Sequence, residues 1–156
     1  MSRVLVSYFS ASGVTRGVAE KINKVINGDL LEIEPVELYS KEDLDWNDEN
    51  SRSSREMKDK SFRPGIKKKI INMDNYNKVV LGFPVWWYTA PTIINTFIEE
   101  NDLSGKDIYI FVTSGSSSFY SSLNDLKNSY PNLNFVKGVR FTSSVNDEEI
   151  KEFLDK

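Results

Sequence analysis

Short apolar runs rich in β-branched and aromatic residues alternate with stretches of helical spacing along most of the chain. This alternation predicts a parallel sheet covered by helices on both faces, which is a three-layer α/β fold. The predicted strands are residues 3–9, 29–34, 78–83, 107–113 and 134–141. The predicted helices are residues 14–27, 91–100 and 120–128, and a last one that begins after Asn146.

Capping signals mark the limits of the first and last predicted helices. Gly28 is placed to end the first helix, because glycine readily takes the left-handed conformation that closes many helices. Asn146 precedes Glu149 by three residues, which is the spacing of a capping box at the start of the last helix. The apolar face of the first helix comprises Val14, Val18, Ile22 and Val25.

Residues 37–65 interrupt the pattern, because they are polar, charged and too numerous for a simple turn. A short helix near residues 51–60 fits their spacing. Long excursions within a small domain are usually functional or mobile, and this one can reach the same end of the sheet as the loops after the strands. Asp45, Asp48 and Glu49 can form an acidic rim there.

Composition restricts the chemistry that the chain can perform. At 156 residues we expect one domain, residues 1–156, that buries roughly 68–70% of the surface of its unfolded form. The sequence contains no Cys and no His, which excludes thiol nucleophiles, disulfides, histidine bases and the usual zinc ligands. Any chemistry must therefore come from carboxylates, hydroxyls, backbone groups or a bound cofactor.

Charge and hydropathy argue against nucleic acid and membrane partners. The net charge of −3 is unlike that of a nucleic-acid-binding protein, and the basic run 67–69 fits a solvated face or a docking patch for an acidic partner. The longest mostly apolar stretch, residues 79–88, is too short to cross a bilayer and contains Gly82 and Pro84. No secretion signal is evident, so we expect the protein in the cytoplasm.

Ligands of open parallel sheets bind outside the carboxyl ends of the strands, which directs attention to three loops. The first loop, residues 10–15, has three hydroxyls, a glycine and the free amides of a helix start, which together suit a phosphate. Its alternative interpretation is a simple helix cap by Ser10 or Ser12. The residues of this loop are Ser10, Ala11, Ser12, Gly13, Val14 and Thr15.

The second loop contains three adjacent large aromatic residues, which cannot all enter one core because neighbouring side chains point in different directions. At least one ring is therefore expected at the surface, where a flat ligand can stack on it; the alternative is that the rings cover the sheet. The residues concerned are Pro84, Val85, Trp86, Trp87 and Tyr88. The third loop offers hydroxyls and amides through Thr113, Ser114 and Gly115, although a plain serine-rich connector has the same composition.

A phosphate cradle, an aromatic platform and a polar rim at neighbouring strand ends describe a site for a phosphorylated flat heterocycle such as riboflavin phosphate (FMN). With these motifs the sequence resembles the flavodoxin family. The matching motifs are Ser10-x-Ser12-Gly13-x-Thr15, Gly82-Phe83-Pro84-Val85-Trp86-Trp87 of a Trp-Trp subgroup, and Thr113-Ser114-Gly115. The resemblance implies strand order 2-1-3-4-5, phosphate at residues 10–15, and the flavin ring between residues 84–88 and 113–115.

The resemblance leaves three functions open. The first is an FMN-binding electron-transfer protein that serves redox partner proteins. The second is an FMN-dependent oxidoreductase that takes hydride from NAD(P)H and reduces a quinone or similar acceptor. The oxidoreductase is favoured because residues 84–91 lack the glycine whose peptide flips in many carrier flavodoxins. Trp and Tyr reach positive φ less readily than glycine does. The third is a binding domain of this shape that has lost its flavin.

Other folds with this alternation require residues that the chain lacks. Neither G-x-G-x-x-G nor G-x-x-x-x-G-K-S/T occurs, which argues against dinucleotide binding and P-loop nucleotide hydrolysis. A low-molecular-weight phosphatase needs a nucleophilic Cys. A response regulator needs an acidic cluster where this chain has Phe9-Ser10 and Phe83-Pro84.

Overall fold

Five parallel strands form one sheet in the order β2-β1-β3-β4-β5, which confirms the predicted three-layer fold. The structure is a computed structural model that describes residues 3–69, 72–114 and 117–154. The strands are β1 (Val4–Tyr8), β2 (Asp29–Glu32), β3 (Lys78–Pro84), β4 (Asp107–Thr113) and β5 (Asn134–Phe141). All predicted strands are present, and the ranges of β4 and β5 match their predictions.

Two helices cover one face of the sheet and two cover the other. The helices are α1 (Val14–Ile26), α2 (Arg52–Lys58), α3 (Thr92–Glu100), α4 (Tyr120–Ser129) and α5 (Asp147–Leu154). Buried residues of α3 and α4 join one core cluster, and those of α1 and α5 join the other. Alternate residues of β4 supply both clusters, with Ile110 in the first and Phe111 in the second.

The first helix ends in a different way from the one predicted. Asn27, with φ of 52°, takes the left-handed position, and its N–H donates to the carbonyl of Asn23. Gly28 is required for another reason: a Cβ there would lie 2.5 Å from the carbonyl oxygen of Val4. The capping box of the last helix is confirmed, because Asn146 and Glu149 exchange hydrogen bonds of 2.9 and 3.1 Å.

The excursion of residues 37–65 is closed at its base and tied to α3. Val36 N–H donates to the carbonyl of Gly65, and Lys67 N–H donates to that of Glu34. Near its C-terminal end, the guanidinium of Arg63 donates to both carboxylate oxygens of Glu99 at 2.9–3.1 Å. This pairing, together with a hydrogen bond from Tyr130, holds the pKa of Glu99 below its usual value. The excursion therefore has a defined position against the sheet.

No helix in the described part of the chain has the length and apolar character needed to span a membrane.

Candidate functional site

The three loops singled out from the sequence meet at Thr113, the last residue of β4. Its hydroxyl lies 2.7 Å from that of Thr15, which is buried in the first turn of α1. Its carbonyl accepts the N–H of Val85 at 3.2 Å, and Pro84 pairs with it across the sheet. The start of α1, which follows β1, and the end of β3 are thus both joined to the end of β4 at one point of the sheet edge.

The first loop presents its backbone, rather than a side-chain cap, at the start of α1. Gly13 is the cap residue with φ of 98°, a left-handed conformation that suits glycine. The first helical hydrogen bond runs from Gly17 N–H to the Gly13 carbonyl, so the amides of residues 14–16 precede it. Ser10 does not cap the helix, because its hydroxyl oxygen accepts the Gly13 N–H at 3.0 Å and so shapes the turn. Free amides at the start of a helix are donors of the kind that bind anions.

The side chains of this loop divide into anchors and exposed groups. Ala11 packs against the core, and Thr15 is held by Thr113. Ser12 is exposed, and its hydroxyl has no hydrogen bond within the described residues; the Val14 side chain is also exposed. The nearest cation along the chain, Arg16, forms an ion pair with Glu32. The positive potential at the loop therefore comes chiefly from the helix dipole.

The second loop is a tight hairpin whose two central residues both have positive φ. Trp86 and Thr89 exchange backbone hydrogen bonds of 2.9 and 3.0 Å, which leaves Trp87 and Tyr88 as a two-residue turn. Their φ values are 48° and 65°. A turn of type I′ requires positive φ at both positions and normally uses Asn and Gly. The expectation that Trp and Tyr would resist this conformation is wrong here, because closure of the hairpin imposes it.

We expect Tyr88→Gly to be more stable to unfolding than Tyr88→Ala by about 0.5–1 kcal/mol. Left-handed φ costs a residue with a Cβ about 1–2 kcal/mol, whereas the greater freedom of glycine in the unfolded chain returns about 0.4–1 kcal/mol. Tyr88 is 75% exposed, so both variants lose little burial. Urea denaturation of the two variants, without any ligand, measures the difference.

Tyr120 provides the matched control, because it is an exposed tyrosine in a helical conformation at the start of α4. There the order should reverse, with Tyr120→Gly less stable than Tyr120→Ala. Equal stabilities of the two Tyr88 variants would contradict a strained turn.

Trp86 is turned inward and held by other aromatic rings. Its ring packs edge-to-face against Phe9 at 5.7 Å and against Tyr39 at 5.4 Å between centroids. Tyr39 donates from its hydroxyl to buried Glu56, and the guanidinium of Arg52 lies 3.8 Å from its ring centroid. Burial and the Glu56 contact raise the pKa of Tyr39, which keeps its hydroxyl protonated as a donor. One aromatic ring of the loop therefore covers the core, while Trp87 and Tyr88 stay exposed at 43% and 75%.

A cavity of about 770 Å³ lies between this hairpin and the excursion. On the hairpin side it is lined by residues 85–88, and on the excursion side by Leu44, Trp46 and Ser53. The sequence analysis placed the excursion near this end of the sheet but identified none of these three residues. A lone tryptophan in a polar segment was the available signal for Trp46, and nothing in the local pattern distinguishes Leu44 or Ser53.

The third loop completes the lining of the cavity with Ser114 and Ser117. Ser114 donates from its hydroxyl to the carbonyl of Ser117 at 2.6 Å. Arg140 of β5 donates to the hydroxyl oxygen and the carbonyl of Ser114, at 3.2 and 3.1 Å. This rim is therefore held by a hydrogen bond within the loop and by Arg140 of the neighbouring strand β5. Gly115, also predicted for the site, lies outside the described residues.

A family model described as Flavodoxin matches residues 3–156. The chain belongs to the flavodoxin family. This membership supports the cofactor that the sequence indicated, FMN. The Trp-Trp subgroup stays a prediction. A search of curated proteins found no significant match.

Solved structures agree with this flavodoxin assignment. A candidate flavoprotein from Bacteroides eggerthii is 46% identical, with a TM-score of 0.96, over 99% of this chain and 97% of its own. A second, from Bacteroides uniformis, is 41% identical, with a TM-score of 0.94, over 99% of both chains. A flavoprotein from Lactobacillus acidophilus, solved in complex with FMN, is 24% identical with a TM-score of 0.75 over 98% of this chain and 99% of its own, and shares the fold.

Proposed function

We propose that this chain binds FMN non-covalently at the loops that meet at Thr113 and acts as an electron-transfer protein. The cavity of about 770 Å³ carries the proposal, because its size is within the usual range of cofactor sites and its lining combines aromatic rings with a few hydroxyls. The buried Ser53 hydroxyl, which has no partner among the described residues, and the amides that follow Gly13 suit a ligand with polar edges and a phosphate. The residues present therefore fit FMN.

In this proposal residues 10–15 hold the phosphate. The amides of residues 14–16 and the hydroxyls of Ser10 and Ser12 donate to it, and Gly13 allows the backbone to approach closely. The Thr15 side chain would position the loop rather than contact the phosphate, because its hydroxyl is already hydrogen-bonded to that of Thr113. The site thus needs no lysine or arginine of its own.

The flavin ring would lie in the cavity between the hairpin and the excursion. Val85, Trp86 and Trp87 supply apolar surface on one side, and Trp46 supplies an aromatic ring from the other. These residues orient the ring and exclude water from part of it, while Ser114 and Ser117 offer polar groups at the edge. The hairpin is held in place by the contacts of Trp86 with Phe9 and Tyr39.

Bound FMN supplies one- and two-electron redox chemistry, for which the protein needs no side-chain acid or base. The chain instead controls solvent access and hydrogen bonding around the ring. The absence of a glycine in residues 84–91 no longer argues against a carrier, because Trp87 and Tyr88 already have positive φ. Exposed Asp45, Asp48 and Glu49 follow or flank the lining residues and would attract basic redox partners.

An FMN-dependent oxidoreductase is the second candidate, favoured by the exposed rings of the cavity. Trp46 and Tyr88 are 71% and 75% exposed, and both line the cavity. A nicotinamide or a quinone is flat and could stack on such rings. Rapid oxidation of NADPH by the FMN-loaded protein with a quinone, and with no partner protein, would support this candidate over the carrier.

The test of the proposed function is a titration of the purified protein with FMN, followed by flavin fluorescence and the visible spectrum. We expect one FMN per chain and quenched fluorescence, because the ring would stack on aromatic side chains. Trp46→Ala should weaken both binding and quenching, whereas Tyr120→Ala, an exposed tyrosine outside the lining, should change neither. Absence of binding at micromolar FMN would overturn the proposal.

A further inference from the structure

Ser53 is a buried serine on the inward face of α2 whose hydroxyl has no hydrogen-bond partner in the described part of the chain. Its residue is 1% exposed, and Glu56 and Met57, three and four positions later, are buried on the same face. Glu56 is paired with Arg52, and Met57 is apolar. A hydroxyl at such a position without a partner destabilises the fold, so its presence calls for an explanation.

The neighbouring serines are used to build the start of the helix, but Ser53 is not. Ser51 caps α2 by accepting the Ser54 N–H, and its own hydroxyl donates to that of Ser54. The Ser53 N–H donates to the carbonyl of Asp43 at 2.9 Å, which fixes the residue against the preceding loop. The Ser53 hydroxyl has no hydrogen-bond partner among the described residues, and Ser53 lines the same cavity as Trp86 and Trp87.

We propose that Ser53 is a flavin-binding residue whose hydroxyl forms a hydrogen bond with the polar edge of the isoalloxazine ring. The inference rests on the proposed function, since it requires FMN in this cavity. The hydroxyl can donate to a ring carbonyl or accept from a ring N–H, so it suits an edge that carries both. The ring is favoured over the phosphate because Ser53 shares the cavity with Leu44, Trp46, the aromatic hairpin and the serines of the third loop, whereas residues 10–15 do not line it.

The experiment compares Ser53→Ala, Ser53→Cys and Ser122→Ala with the unchanged protein, using FMN and riboflavin as ligands. Loss of one neutral hydrogen bond predicts a dissociation constant about tenfold higher for Ser53→Ala, by the same factor for both flavins. The visible bands of the bound flavin should also shift, because a hydrogen bond at the ring edge is removed. The dissociation constant of Ser53→Cys should lie between those of the unchanged protein and Ser53→Ala, since a thiol is a weaker donor and acceptor than a hydroxyl.

Ser122 is the matched control, because it is another fully buried serine whose hydroxyl has no partner in the described residues, but it lies in α4 and does not line the cavity. Ser122→Ala should leave both affinities and the spectrum unchanged. Unaltered binding by Ser53→Ala, an equal loss in Ser122→Ala, or a loss for FMN but not riboflavin would overturn the role of Ser53. Failure of the unchanged protein to bind either flavin would instead overturn the proposed function itself.

Discussion

Ser12→Asp is expected to weaken FMN binding at least about a hundredfold and to leave riboflavin binding nearly unchanged. The two ligands differ only by the phosphate, which we propose is held by residues 10–15. Ser12 is exposed and its side chain has no hydrogen bond within the described residues, so an aspartate fits without disrupting the loop. Two like charges about 4 Å apart near a protein surface repel by about 4 kcal/mol, which exceeds the roughly 2.7 kcal/mol that a hundredfold change requires.

Measuring the dissociation constants of both flavins at low and high salt tests this explanation. Ser12→Asn has nearly the same shape without the charge, and should weaken FMN binding only a few-fold. Raising the ionic strength should reduce the difference between the Asp and Asn variants. An aspartate before the first turn of α1 is favourable for the helix dipole, so the variant should stay folded. An equal loss for riboflavin would show that the phosphate does not lie at this loop.

The sheet and most helices were predictable because burial on two faces leaves a strong pattern. Strand β4 reads as a continuous apolar run since both of its faces are covered, and its limits matched the prediction. Strand β2, at the sheet edge, is flanked by charges and is two residues shorter than expected. The Thr15–Thr113 contact was predictable only as proximity, because parallel strands bring their loops to one edge.

The parts that escaped prediction depend on contacts between distant residues. The positive φ of Trp87 and Tyr88 opposes their intrinsic preference and is imposed by hairpin closure between Trp86 and Thr89. The excursion lacks periodicity, so its position depends on contacts with distant residues such as the packing of Tyr39 on Trp86 and the pairing of Arg63 with Glu99. Leu44, Trp46 and Ser53 reach the cavity as a consequence of those contacts.

Gly82→Ala is expected to destabilise the protein by about 3 kcal/mol or more, although it adds a single methyl group. Gly82 pairs with Phe111 across β3 and β4, and the phenyl ring lies over the glycine. A Cβ at position 82 would overlap this ring, with even the more distant Cε2 only 2.7 Å away. Phe111 is fully buried against Phe141, so it has no free space to move into, and overpacking of this kind costs about 1–3 kcal/mol and sometimes more. Urea denaturation of the unchanged protein and of Gly82→Ala measures the difference in the free energy of unfolding.

Gly17→Ala also adds one methyl group, but we expect it to raise the free energy of unfolding rather than lower it. A Cβ at position 17 of α1 has no atom within 4 Å. The substitution should stabilise the protein by about 0.5–1 kcal/mol, the usual advantage of alanine over glycine in a helix. If the ring of Phe111 causes the loss at position 82, Phe111→Leu should cost less in the Gly82→Ala background than alone. Strictly additive losses would mean that the damage arises in the backbone of β3. That strand leads directly into the hairpin closed by Trp86 and Thr89, so a backbone shift in β3 would reach the edge of the proposed flavin site.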